Sequence, residues 1–337
     1  MNLVTGATGH IGNVLVKELV RKGESVRVLV LPGEDLAPIE GLDVEVVYGN
    51  VLDSKSLDAA FDDIEYVFHL AGIISISSHQ EAIVHNVNVE GTRNMVNAAM
   101  RAGVKRFIYT SSIHAFKRVP HGTLIDEATP IDPVYNIAAY DRSKAEATLA
   151  VLEKVKEGLP AVIVCPTGVI GPYDYKKSEM GAVMNNWMLN KVNYMIEGSY
   201  DFVDVRDVVQ GLILAREKGN VGQLYILSGQ LIRVSDLWKI GQELFPIKSM
   251  LINIPAKLAK FVAFFAEFYY QLSHTTPKFT QYSIETLQGN AVISNLKARL
   301  YLGYKTRSTR ETVQDTLDWW KQNSVILKDK HLNKRRS

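Results

Sequence analysis

The stretch "VTGATGHIGNVLVKEL", residues 4–19, decides the fold. It begins as an apolar strand, passes through Gly6, Gly9 and Gly12, and continues with the apolar spacing of a helix. Three glycines between a strand and a helix serve a tight turn, close backbone approach to a pyrophosphate, and close packing of helix on sheet. The helix start then offers free N–H groups and the positive end of its dipole to an anion. The spacing predicts a dinucleotide-binding turn.

Outward from that turn, short β-branched runs alternate with helical patterns: "SVRVLVL", "DVEVVYG", "SLDAAFDDI", "EYVFHLAG", "NVNVEGTRNMVNAAMRAG" and "RFIYTSS". Nearly continuous apolar strands separated by helices predict an α/β fold, a doubly wound parallel sheet covered on both faces. Gly23 and Gly103 fall where helices should close. "PAVIVCPTGVIG" reads as one further buried strand. Residues 1–170 are expected to form the dinucleotide-binding domain, with 201–230 returning to it. Residues 171–200 and 231–325 are expected to make a smaller, mostly helical substrate lobe over the carboxyl edge of the sheet. The last twelve residues, 326–337, read as a basic, solvated tail.

The chain has 337 residues, and its 38 basic and 36 acidic side chains leave a net charge of +2, which argues against a nucleic-acid partner. One cysteine, Cys165, cannot form an internal disulfide and suits a reducing, cytoplasmic setting. The first apolar run starts at Leu3 and leads straight into the glycine turn, so no signal peptide is expected. In the most lipophilic segment, residues 258–272, Lys260 and Glu267 leave an uncharged run far short of the roughly 20 residues that span a bilayer. The histidines show no metal-ligand spacing with one another or with Cys165, and no metal is expected.

In "AAYDRSKAEA", residues 138–147, Tyr140 and Lys144 share a helical face. A phenol with a pKa near 10 is a poor proton shuttle at neutral pH. An ammonium about 4–5 Å away, worth roughly 3–4 kcal/mol at an effective dielectric near 20, should lower that pKa by about two. Ser112, at the end of "RFIYTSS", could donate to an oxygen on which charge develops. The three make a plausible acid/base site.

"TGATGHIG", "HLAG", "NVNVEGTRN", "TSS", "YDRSK" and "CPTGVIGP" occur in the order and spacing of the extended short-chain dehydrogenase/reductases, and the chain resembles that family over essentially its whole length. The resemblance implies Ser112, Tyr140 and Lys144 as the catalytic set. It implies dinucleotide contacts by Gly6, Gly9, His10, Ile11, Gly12, Leu70, Ala71, Gly72, Asn88, Tyr140, Lys144, Pro166 and Val169. Asn88 could equally tie a neighbouring strand. Asn50, with Val51, stands at the adenine-binding position where most relatives carry Asp. Val30 and Leu31 replace the residues that normally discriminate the two dinucleotides, while Glu34 and Asp35 lie nearby. The cofactor is expected to be NADP, with NAD the alternative.

Within the family the chain looks most like the branch of dihydroflavonol reductases and 3β-hydroxysteroid dehydrogenases. Nucleotide-sugar epimerases grip a diphosphate with arginines, and Tyr200 and Leu287 stand at those two places here. Arg206 and Arg233 could substitute or could simply form ion pairs. Phe261, Phe264, Phe265 and Phe268 fall on one helical face, either as lobe core or around an apolar ligand. Lys117 occupies the place where plant flavonoid reductases orient their substrate, which argues against a flavonoid. His114, two residues beyond Ser112, could reach a substrate but is expected to pack at the strand end, Tyr173 to line the pocket mouth, and Trp319 and Trp320 to anchor the last helix. The expected activity is hydride transfer to or from a carbonyl or secondary alcohol of a lipophilic small molecule, by a homodimer. A nucleotide-sugar epimerase or dehydratase with the same three residues, and a non-catalytic dinucleotide sensor, are the alternatives.

Overall fold

The structure is a computed structural model that describes residues 1–74, 80–134, 138–189, 192–245, 250–255, 286–287 and 292–333, with side chains through 323. The strands of the first half are β1 (Asn2–Thr5), β2 (Val26–Val30), β3 (Glu45–Tyr48), β4 (Tyr66–His69), β5 (Arg106–Thr110) and β6 (Ala161–Pro166). Between them lie α1 (His10–Arg21), α2 (Ser54–Ala60), α3 (Glu81–His85), α4 (Gly91–Ala102) and α5 (Ala139–Lys156). The remainder comprises β7 (Gly168–Ile170), α6 (Glu179–Leu189), β8 (Val192–Ile196), β9 (Ser199–Asp204), α7 (Val205–Lys218), β10 (Leu224–Leu227), β11 (Gln230–Arg233), α8 (Val234–Leu244), β12 (Met250–Ile254) and α9 (Thr309–Asn333).

Seven parallel strands form the main sheet in the order β10-β6-β5-β4-β1-β2-β3. The chain reverses direction across the sheet at β1, which pairs with both β2 and β4. Ligands of such sheets bind in the crevice at that switch, beyond the carboxyl ends of the strands. The apolar runs are buried because helices cover both faces. Val4, Val28, Phe68, Ile108 and Val162 face one layer, Leu3, Val67, Phe107 and Ile163 the other, and all are fully excluded from solvent. Gly103 ends α4 at φ +63°, as its place in the sequence predicts.

The expected single strand from Pro160 to Gly171 divides in two. Its first part, β6, stays in the main sheet, and after Thr167 the chain leaves as β7 to pair with β9 in a three-stranded sheet completed by β11. A continuous apolar run carries no mark of the point where it changes sheets. Of residues 201–230, α7 and β10 return to the main sheet, whereas β9 belongs to the small one. A third core, containing Met184, Trp187, Phe202, Leu237, Val313 and Leu317, holds α6, α8 and α9 around that small sheet. Trp320 is fully buried and Trp319 lies edge-on to Tyr175 at 5.2 Å, which is the anchoring expected of the pair. Helix α9 runs on through Asn333, into the basic run read as a tail. The aromatic face of residues 261–268 lies outside the described residues, as do the whole of the lipophilic segment, 258–272, and the last four residues. Among the described residues, no helix is long and apolar enough to cross a membrane.

Candidate active site

The glycine turn closes because Gly6 adopts φ +69° and the Gly9 N–H donates to the Gly6 carbonyl at 3.0 Å. A Cβ on Gly6 would stand 2.8 Å from the Ala71 nitrogen, so the turn lies directly against the end of β4. A Cβ on Gly12 would collide with the Gly6 carbonyl oxygen. Helix α1 has no side-chain cap and no acidic residue in its first turn. The uncapped N–H groups and the Cβ-free cradle fit a dinucleotide pyrophosphate. His10 and Ile11 open that helix, with the His10 imidazole against the Pro172 carbonyl at 3.0 Å.

A buried hydrogen-bond chain fixes the wall opposite the turn. Asn88 donates to the Ile73 carbonyl at 3.0 Å and to the Ser143 hydroxyl at 2.9 Å, and it accepts from the Ile73 N–H at 2.8 Å. It therefore ties the Gly72–Ile73 loop to α5 rather than bonding a neighbouring strand. Asn88 sits in a π-helical turn, residues 86–90, between α3 and α4. Thr92 donates to the Asn88 carbonyl at 2.6 Å and contacts His69 Nε2 at 3.0 Å. On the other side, the Thr5 hydroxyl meets His69 Nδ1 at 2.8 Å and accepts from the Ala71 N–H at 3.1 Å. With the Thr92 proton committed to a carbonyl, Nε2 must donate. Burial lowers the His69 pKa to about 3, so the ring is neutral and Nδ1 accepts from Thr5. "HLAG" is thus a strut that positions Leu70, Ala71 and Gly72. Its partners leave no local signal, because Thr5 and Thr92 lie 64 and 23 residues away along the chain.

Lys144 is buried, with its ammonium donating to the Thr110 carbonyl at 2.9 Å and lying 5.3 Å over the Tyr109 ring. Its Nζ would be 3.5 Å from a Cβ on Gly72, which places it beside the dinucleotide crevice. Burial lowers its pKa to about 8. Ser112 follows β5 and accepts the His114 N–H at 3.1 Å, which leaves the hydroxyl proton directed elsewhere. Burial pushes the Tyr140 phenol up to about 12; a hydrogen bond with Ser112 works against the rise and the neighbouring Asp141 carboxylate adds to it. The lowering expected from Lys144 is not what governs the phenol in this structure, because its desolvation outweighs the attraction of the neighbouring groups.

Asn50 and Val51 follow β3, where the Asn50 side-chain oxygen accepts the Leu52 N–H at 2.9 Å, so this side chain already caps its own turn. Val51 is buried and would meet a Cβ on Gly91, while Pro166 and Val169 flank the step from the main sheet to the small one. At the end of β2, Leu31 is half exposed and Glu34 takes the position beside the turn. The Glu34 carboxylate accepts from the Thr8 hydroxyl, from the Leu31 N–H at 3.2 Å and from Lys176 at 2.8 Å, and Lys176 also reaches Thr8 at 2.9 Å. Although burial opposes its ionisation, Lys176 and Thr8 hold the Glu34 pKa below the usual carboxylate value. Sequence inspection overlooked Lys176, which comes from the loop after β7.

The family model for the NAD dependent epimerase/dehydratase family matches residues 2–227. The chain belongs to that family. It is 32% identical to sterol demethylase protein B of Methylococcus capsulatus, over 96% of this chain and 99% of that one. It is 30% identical to 3beta-hydroxysteroid-dehydrogenase/decarboxylase isoform 1 of Arabidopsis thaliana, over 94% of this chain and 78% of that one. The solved structure of gox2253 superposes with a TM-score of 0.84 at 31% identity, covering 96% of this chain and 98% of that one. This member of the epimerase/dehydratase family is an oxidoreductase of the extended short-chain dehydrogenase/reductase type, dependent on NAD or NADP.

The two arginines considered as diphosphate clamps are committed elsewhere. Arg206 pairs with Asp204 at 2.7 Å and with Asp315 at 2.6 Å, and Arg233 pairs with Asp236 at 2.8 Å. Tyr200 points its phenol at His114, 2.9 Å from Nε2, and Leu287 packs against the third core. Tyr173 is held at φ +70°, its carbonyl accepting from Asn13 at 3.1 Å and its ring under the Lys17 ammonium at 4.3 Å.

Proposed function

We propose that this enzyme transfers hydride between a nicotinamide and the carbonyl or secondary alcohol of a lipophilic small molecule. The observation that carries the proposal is the convergence of buried Ser112, at the end of β5, with the α5 face that bears Tyr140 and, one helical turn on, the buried Lys144, whose ammonium donates to the Thr110 carbonyl and lies beside Gly72. The turn from Gly6 to Gly12, the Leu70–Gly72 strut and Lys144 would hold the dinucleotide, which supplies or accepts the hydride. Tyr140 gives a proton to the substrate oxygen in reduction and takes it in oxidation. Ser112 donates to that oxygen as its charge grows. A phenol with a pKa of about 12 is protonated throughout the neutral range, which suits the donor role of reduction. The commitment of Arg206 and Arg233 to carboxylates supports an uncharged, lipophilic substrate, as do relatives named for sterols and steroids.

For the dinucleotide, Lys176 supplies beside Thr8 the cation that Val30 and Leu31 do not, which supports NADP, and Glu34 opposes it. A homodimer, in the cytoplasm, completes the reading; α4 and α5 pack together and leave Leu149 exposed. The alternative is a nucleotide-sugar epimerase, which the family model also covers. Incubation with NADPH or NADH and a panel of ketones, aldehydes and steroids, then with UDP-sugars, tests the choice. We expect turnover of a lipophilic carbonyl compound; turnover confined to UDP-sugars overturns the substrate class. No turnover of either kind, with tight dinucleotide binding retained, supports the sensor.

A further inference from the structure

His114, expected to pack at the strand end, is the point where five interactions meet. Its backbone N–H donates to Ser112 Oγ at 3.1 Å, and its ring lies edge-on to Tyr140 with centroids 6.0 Å apart. The other face stacks on Tyr200, at 6.1 Å and 17° between planes, and Nε2 hydrogen bonds to the Tyr200 phenol at 2.9 Å. Nδ1 lies 3.4 Å from Asp141 Oδ1, and the second oxygen of that buried carboxylate accepts from Arg118 at 3.2 Å. Asp141 is the next residue after Tyr140 in α5, so the cluster is bolted to the element that carries the phenol.

The polarity of the chain of contacts is set by chemistry. A carboxylate facing Nδ1 stabilises a proton on that nitrogen, which leaves Nε2 as an acceptor. The Tyr200 hydroxyl then donates inward to Nε2, and its oxygen is left with acceptor capacity alone. The ring has little freedom to do otherwise. It packs against Phe202 at 5.6 Å, and a Cβ on Gly168 would stand 2.7 Å from its edge. Burial first, then the Asp141 and Tyr140 charges, raise the Tyr200 pKa, so the phenol stays neutral.

We propose that Asp141, His114 and Tyr200 form a substrate-positioning relay, in which the Tyr200 oxygen accepts a hydrogen bond from a second hydroxyl of the substrate, within a few bonds of the reacting carbon. The proposal rests on the hydride-transfer reading and narrows its substrate class to hydroxylated ketones or diols with a lipophilic body. Tyr200 is the residue that touches the substrate, and His114 and Asp141 act through it.

The test compares matched substrates with and without the second hydroxyl. For the hydroxylated substrate, Tyr200→Phe should raise KM about tenfold, the loss of one hydrogen bond, while kcat stays within about twofold. The same change should leave the deoxy substrate unaffected. His114→Leu should reproduce Tyr200→Phe, the double variant should be no worse than either, and His114→Gln, which keeps an acceptor near Nε2, should restore most of the affinity. Additive losses, or equal losses for both substrates, overturn the relay. A readout without substrate separates the two proposals. The nitrogen NMR spectrum of wild-type His114 at pH 8 should show a protonated Nδ1 and a bare Nε2, with the pattern altered in Asp141→Asn. A protonated Nε2 overturns the relay whatever the enzyme turns over. Absence of turnover on every carbonyl compound in the wild type overturns the hydride-transfer reading, and the imidazole spectrum still decides the hydrogen-bond polarity.

Discussion

The two ends of the crevice are built by different means. At the glycine turn, function lies in backbone: Gly6 at φ +69°, N–H groups left uncapped at the start of α1, and contacts so close that a Cβ has no room. At the Ser112–Tyr140 end it lies in side chains that three separated segments bring together, with partners supplied by His114, Asp141 and Tyr200. Backbone construction tolerates almost no substitution and therefore leaves a fixed spacing in the sequence. Side-chain construction needs only that suitable groups arrive, from wherever the chain provides them.

The sharpest way to break this division is at Tyr140. Tyr140→Phe should lower kcat by about a thousandfold, the worth of general acid–base catalysis, while the dinucleotide dissociation constant stays unchanged in a fluorescence titration. Comparable loss of binding would mean that the two ends are not separable.

Lys144 belongs to both ends, and its titration reads how deeply it is buried. Its folded pKa of about 8 lies below the unfolded value of 10.5, so between those values the unfolded chain binds more protons and stability rises with pH. Relative to Lys144→Met, denaturation of the wild type should gain about 3 kcal/mol between pH 8 and 10.5. A flat difference would place the ammonium in solvent.

Gly12→Ala tests the backbone end. The added methyl meets the Gly6 carbonyl, so the turn must open, at a cost of about 2 kcal/mol in stability, with dinucleotide affinity lost and Ser112 and Tyr140 undisturbed. Calorimetry and titration on the same sample check it.

The smallest effect is expected at the Glu34–Lys176 pair. Glu34→Gln should shift the ratio of NADP to NAD affinity about tenfold towards NADP, and Lys176→Ala about tenfold the other way, since each removes one charge from a partly exposed site. Parallel titrations with both dinucleotides read the ratio directly.

The glycine spacing, the alternation of apolar runs with helical patterns, and the four-residue step from Tyr140 to Lys144 were legible because each expresses a local rule. Backbone conformation, burial of a strand and the face of a helix all repeat within a few residues. The division of residues 160–171 between two sheets was not legible, because an apolar strand reads alike in either sheet. Nor was the rise in the Tyr140 pKa, since the sequence shows the neighbouring lysine but not the desolvation that outweighs it.

The sequence by itself therefore determined the parallel sheet, the dinucleotide turn and the identity of the three residues expected to act. Tertiary structure alone decided that His69 is a neutral strut between Thr5 and Thr92, that Lys176 crosses to Glu34, and that His114 joins Asp141 to Tyr200. The reason is distance along the chain. Those partners are 23 to 142 residues apart, and a hydrogen bond between side chains requires only that the fold bring its two ends together, not that any spacing be kept.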